Sequence, residues 1–163
     1  MNVRPAERKD IPAVTGIYGA SVLSEPISFE TEPPDETEMV RRWQAVIESG
    51  HPYFVAVSGE EVVGYCYASA YHTRPAYAAT VECSVYVHQD HRRSGAGRAL
   101  MTTLLEACKT NGSAQMIAII GDSGNTGSIG LHASLGFRHV GVLEKVGYKF
   151  GRWLDVVIMQ REL

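Results

Sequence analysis

The chain has 163 residues, 45% of them hydrophobic, enough for one globular domain with a substantial core. A formal net charge of −3 supplies no global basic field for nucleic acid, and no apolar run approaches the roughly 18 residues of a membrane span. Cys66, Cys83 and Cys108 lie far apart with no Cys-x-x-Cys spacing. That argues against a disulfide framework or a metal site and points to a reducing cytoplasm, and the polar N-terminus does not read as a signal peptide.

Asn2–Arg4 reads as a short first strand. Asp10, with Pro12 just inside, opens a helix whose apolar side carries Val14, Ile17 and Tyr18. A polar, proline-containing loop, Glu25–Pro34, follows. Asp35 and Glu38 have the form of a capping box ahead of Met39, Val40, Trp43, Val46 and Ile47 at helical spacing, and Gly50 ends that helix. Tyr53–Val57 and Val62–Ala70 form a hairpin, and Thr80–Val87 is a further strand rich in Val and Tyr. Ala99–Cys108 reads as a helix with Leu100, Leu104 and Leu105 on one side, and Met116–Ile120 as a buried strand. Asn125 or a neighbour starts a short helix closed by Gly136, and Val140–Val146 and Trp153–Gln160 complete the sheet. The order β α α β β β α β α β β predicts one α/β domain over residues 1–163, built around a single mixed sheet.

The segment between Thr80–Val87 and the following helix carries the chemistry. Arg92-Arg-Ser-Gly-Ala-Gly97 lies where a helix N-terminus presents unpaired N–H groups and partial positive charge. Gly95 and Gly97 let a bulky anion approach that backbone, and Arg92, Arg93 and Arg98 add charge, so the segment reads as a diphosphate cradle. No Gly-Lys-Ser/Thr follows, which excludes a Walker loop. The alternative is a glycine-softened loop with solvated arginines.

Arg-x-x-Gly-x-Gly between a strand and a helix resembles the coenzyme A signature of the GNAT acyltransferase superfamily. Ile17-Tyr18, Phe29-Glu-Thr-Glu-Pro-Pro34, Arg74-Pro-Ala-Tyr77, Thr80–Val87, Leu131-His-Ala-Ser-Leu-Gly-Phe137 and Gly151-Arg-Trp153 resemble its phosphinothricin N-acetyltransferase branch. The resemblance implies a mostly antiparallel mixed sheet with a splayed central strand pair and helices on both faces. It implies acetyl-CoA as cosubstrate, with Val85, Tyr86 and Val87 offering main-chain groups to the pantetheine arm, and Arg93, Ser94, Gly95, Ala96, Gly97, Arg98 and Asn125 around the coenzyme. Asn125 reads equally as a helix cap.

An α-amine must lose a proton before it attacks a thioester, and Glu82, on the strand before the glycine loop, is the carboxylate placed to take it; the alternative is a solvent-facing or paired strand glutamate. His132 matches the branch's histidine, as acid, base or substrate contact, or else is a helix-surface residue. For the substrate, the resemblance implies that Arg74 pairs with a carboxylate or phosphinate, with Pro75, Ala76 and Tyr77 beside it, Phe29 as an apolar wall and Glu82 nearby; Arg74 is otherwise a solvated loop residue. Ala79 departs from the phosphinothricin pattern, and Phe150 and Leu154 are similar to the methionine sulfoximine and sulfone acetylating relatives. The implied activity is N-acetylation of such an amino acid by a homodimer acting alone on a small molecule. The other readings are acetylation of protein, peptide or other amines, and a coenzyme-binding module without catalysis.

Overall fold

A computed structural model describes all of residues 1–163. In chain order the elements are β1 (Asn2–Pro5), α1 (Ile11–Ser24), α2 (Glu36–Glu48), β2 (Tyr53–Ser58), β3 (Glu61–Ala70), β4 (Thr80–Val87), α3 (Ala96–Thr110), β5 (Gln115–Gly121), α4 (Thr126–Ser134), β6 (Arg138–Lys149) and β7 (Arg152–Glu162). The strands form one sheet in the order β1-β2-β3-β4-β5-β7-β6, antiparallel throughout except for the β4–β5 pair. This is the mixed, mostly antiparallel sheet anticipated from the sequence.

Each sheet face has its own core. The apolar side of α3, with Leu100, Met101, Leu104 and Cys108, packs on one face with Val81, Cys83, Met116 and Ala118. On the other, Ile11, Val14, Ile17, Tyr18 and Val22 of α1 and Met39 of α2 cover Tyr53, Val55 and Tyr65. There Tyr53 and Tyr65 stack in parallel with ring centres 5.8 Å apart, and Tyr65 stacks on Tyr86 at 5.2 Å. Alternation along β4 therefore sends Val81 and Cys83 towards α3, and Glu82, Ser84 and Tyr86 towards α1.

Two helix starts differ from expectation. Asp10 does not cap α1: its buried carboxylate takes two bonds from the Arg4 guanidinium (2.7 and 2.8 Å) and one from the Glu7 N–H (2.8 Å). A buried charge is better matched by a bidentate cation than by a helix end, and Arg4 holds this carboxyl below its usual range. Asp35 does cap α2, accepting the Glu38 N–H at 2.8 Å, but the Glu38 carboxylate turns to Arg41 and Arg42 and leaves the capping box half closed. The last two strands run longer than their hydrophobic pattern because a tight turn at Phe150 (φ 53°) and Gly151 (φ 72°) zips them into one hairpin.

That hairpin anchors the loop between α1 and α2. The Lys149 ammonium, buried, donates to the carbonyls of Ser28 (2.7 Å) and Glu25 (3.1 Å). Tyr18 Oη meets Ser28 Oγ at 2.9 Å, and Arg42 binds the Glu30 carboxylate at 2.7 and 3.0 Å. A bulge in β6 between Leu143 and Gly147, held by a Lys145 N–H bond to Asp155 (2.9 Å), bares Gly147 to the ring of Phe29. A Cβ at Gly147 would collide with that ring. Gly147→Ala is therefore expected to destabilise by about 1–3 kcal/mol, read as a lower thermal midpoint. Adding Phe29→Ala should recover part of the loss; strictly additive losses would show that the ring does not occupy this seat.

Candidate active site

β4 and β5 pair only from Thr80–Cys83 against Gln115–Ala118. Beyond Cys83 and Ala118 the strands part, and a cleft of about 710 Å³ passes through the sheet between them. Ser21, Glu25, Pro26 and Ile27 border it on the α1 side, and Leu131 and His132 of α4 on the other.

The His88 N–H donates to the Val63 carbonyl (2.8 Å). Alternation in an antiparallel pair then commits the main chain of Glu82, Ser84 and Tyr86 to β3 and leaves that of Val85 and Val87 facing the opening. The expected trio of arm-binding main chains is thus narrowed: Tyr86 borders the cleft, but its peptide groups point the other way. Val85 and Val87 face a gap in which backbone groups need a partner.

At the mouth, the chain enters α3 through Gly95 in the left-handed conformation, φ 90°, which a side chain resists. Ala99 N–H makes the first helical bond, to the Gly95 carbonyl (3.0 Å), so the N–H groups of Ala96, Gly97 and Arg98 have no helical acceptor. Arg92, Arg93, Gly95, Gly97 and Arg98 line the cleft. The side chains of Ser94 and Ala96 turn away from it: the Ser94 hydroxyl donates to the His91 carbonyl (2.6 Å), and the Ala96 methyl is buried in the α3 core. A helix N-terminus with guanidiniums around it and an unfilled strand edge leading inward fits a diphosphate carrying an amide-rich arm.

Asn125 also borders the cleft, and its side-chain oxygen caps α4 by accepting the Ser128 N–H at 3.2 Å. The cap is the role the structure shows, and it leaves the amide nitrogen free. The preceding turn is fixed by Asp122, at φ 69°, whose carboxylate accepts the Gly124 N–H (3.2 Å) and pairs with Arg152 (3.1 Å).

His132 is buried, contrary to the helix-surface alternative. Its Nδ1 lies 2.8 Å from the Ser128 carbonyl, which fixes the proton there. Nε2 is then an acceptor, 3.7 Å from Cys83 Sγ. Burial pushes the imidazole below its ordinary range and the Cys83 thiol above its own, so both are neutral near pH 7.

Glu82 stands half-buried on the opposite face from Cys83, at the base of the opening, with Ser84 next along the same face. Burial raises its carboxyl above the ordinary range, and neighbouring His72 partly offsets this. His132 thus borders the opening, and Glu82 lies one residue before the strands part, on the other face of the sheet.

The expected substrate residues are more dispersed. Arg74, Pro75, Ala76 and Tyr77 form an exposed turn after β3, with the Tyr77 N–H on the Arg74 carbonyl (3.0 Å). Tyr71, His72 and Tyr77 make an aromatic cluster there, His72 lying 4.0 and 4.9 Å from the two rings. Phe29 sits by the far end of β5, where a Cβ on Gly121 would meet the Ile27 carbonyl at 2.8 Å and the Phe29 ring at 3.0 Å. Sequence reasoning missed Ser21, Glu25, Ile27, His72, Cys83 and Lys149, whose place depends on contacts between distant segments; no local spacing marks them.

The model of the Acetyltransferase (GNAT) family matches residues 17–137. The chain is 48% identical to the phosphinothricin N-acetyltransferase of Alcaligenes faecalis, over 99% of this chain and 82% of that protein. It is 37% identical to the L-methionine sulfoximine/L-methionine sulfone acetyltransferase of Pseudomonas paraeruginosa, over 99% and 94% of the respective chains. The crystal structure of a GNAT superfamily phosphinothricin acetyltransferase from Sinorhizobium meliloti in complex with AcCoA superposes with a TM-score of 0.96 at 41% identity, covering 99% of this chain and 88% of that one.

The environment of His132 has a measurable signature. Its imidazole is expected to titrate below about 6.5 in an NMR pH series. Because the unfolded chain takes up this proton first, the residue lowers folding stability as the pH falls below about 6.5. A midpoint at or above that value would contradict the neutral, buried ring.

Proposed function

The chain belongs to the acetyltransferase (GNAT) family, and on that premise we propose that its acceptor is the free amino group of a small amino-acid analogue bearing a phosphinate, sulfoximine or sulfone. The observation that carries the reading is the opening between β4 and β5 with the N-terminus of α3 at its mouth. The Alcaligenes and Pseudomonas relatives, named for such acceptors and matched nearly end to end, supply the substrate class.

Acetyl-CoA, when bound, would supply the thioester whose acetyl group passes to the amine nitrogen, the C–S bond breaking and coenzyme A leaving as its thiol with the proton that the nitrogen gives up. The free N–H groups of Ala96, Gly97 and Arg98, with the guanidiniums of Arg93 and Arg98, hold the diphosphate. Val85 and Val87 hold the arm through their main chain, and an N–H aimed at the thioester oxygen stabilises the charge that develops there, by roughly 2.7–4 kcal/mol. Glu82 takes the ammonium proton, directly or through one water; burial raises its carboxyl above the ordinary range and makes it a better base than an exposed carboxylate. His132 enters as a hydrogen-bond acceptor at Nε2 rather than as an acid, since its one proton is committed to Ser128. On the acceptor side Arg74 pairs with an anionic group of the substrate, and the turn carrying Tyr77 closes around it.

A two-fold homodimer is part of the same proposal. β6 is an edge strand, and Val140, Val142, Leu143, Val146, Tyr148 and Trp153 are all exposed on the β6–β7 hairpin. Such an apolar edge needs cover. Three buried thiols suit a cytoplasmic location. Sedimentation velocity should give twice the chain mass, and a monomer at micromolar concentration would refute the dimer.

Thiol release from acetyl-CoA should be observed with phosphinothricin, methionine sulfoximine and methionine sulfone, and far less with glutamate. Activity confined to peptides or polyamines would overturn the acceptor assignment. In the same assay Glu82→Gln should lower kcat/KM by on the order of 10²-fold. The wild-type acid limb should lie above about 4.5, activity falling as protonation of Glu82 removes the base. An unchanged acid limb in the variant would make Glu82 structural.

A further inference from the structure

The three arginines of the glycine loop are not equivalent. Arg93 has no ion-pair partner, and Arg98 donates only to the Ser134 hydroxyl (3.1 Å). The Arg92 guanidinium, by contrast, is held by the carboxylate of Glu25. Glu25 is the first residue after α1, so this pair reaches from one wall of the cleft to the other, and both side chains border it. Only one carboxylate oxygen of Glu25 is engaged: Oε2 is buried with no hydrogen-bond partner. A buried carboxylate oxygen without a hydrogen-bond donor leaves this pair only half satisfied. The other acidic residue bordering the cleft, Asp122, is paired elsewhere, with Arg152. An anion seated on the start of α3 would therefore meet two uncommitted guanidiniums, a third already taken, and an opposing carboxylate.

We propose that Glu25 is a built-in competitor for Arg92: the guanidinium rests on Glu25 in the free protein and turns to the diphosphate when acetyl-CoA docks. Glu25 then sets coenzyme affinity, as a positioning residue acting through Arg92. The inference rests on the coenzyme assignment made above. Glu25 is also well placed to be tested, because Lys149 grips its carbonyl and not its side chain. Removing the carboxylate leaves the loop anchored.

Calorimetric titration of acetyl-CoA into the full chain is the test. Glu25→Gln should bind roughly three- to tenfold more tightly than the wild type, since the guanidinium is released in advance. Arg92→Gln should bind more weakly, and adding Glu25→Gln to it should recover no more than about twofold, the part due to simple like-charge repulsion. Glu25→Thr removes the charge with a different shape and should act in the same direction. Equal or weaker binding by both Glu25 variants would overturn the proposal. So would a full gain in the Arg92→Gln background, which would reduce Glu25 to a repulsive charge that acts without Arg92. Failure of the folded wild type to bind acetyl-CoA would overturn the coenzyme assignment, and the competition with it.

Discussion

A parallel strand pair that stops pairing half-way along leaves main-chain groups that some other polar chain must satisfy. Everything in the site follows from that constraint at Cys83 and Ala118, the last residues at which β4 and β5 meet. Had the two strands remained zipped, Val85 and Val87 would have spent their peptide groups on the sheet. Parted, they form a strand edge inside a cleft, with main-chain groups left to a partner outside the sheet. The helix that follows β4 begins at the mouth of the gap, so a single connection supplies both the edge and the anion site.

The same opening sorts the ionisable groups by face. Strand alternation sends Glu82 towards α1 and Cys83 towards α3 and α4, so the carboxylate and the imidazole lie on opposite sides of the sheet. Burial pushes both groups towards their uncharged forms, with different consequences. The Glu82 carboxyl is raised above its ordinary range, and His132 is kept neutral, with its tautomer set by Ser128. Two titratable residues thus acquire separate chemistry from their depth and their hydrogen bonds rather than from contact with one another.

The wall on the α1 side is held from afar. Lys149, at the end of β6, clamps the carbonyls of Glu25 and Ser28, and the β6 bulge opens the seat into which Phe29 packs. Glu25 and Phe29 therefore belong to one anchored loop that borders the coenzyme cleft at one point and meets the sheet at another.

The sequence by itself determined the order of elements, the α/β class and the position of the glycine-rich strand-to-helix junction. These depend on local physics: hydrophobic period, helix-capping residues, and two glycines at a strand-to-helix junction. It also carried enough residue pattern, from Ile17-Tyr18 to Gly151-Arg-Trp153, to identify the family. Helix starts were less legible, since Asp10 looks like a cap locally and is claimed by Arg4, six residues earlier, only once β1 is in place. Which peptide groups of β4 face the gap, the burial of His132, the Lys149 clamp and the Glu25–Arg92 pair were decided by tertiary structure alone. Each depends on register between strands or on a contact spanning tens of residues, and neither leaves a spacing that a single chain displays.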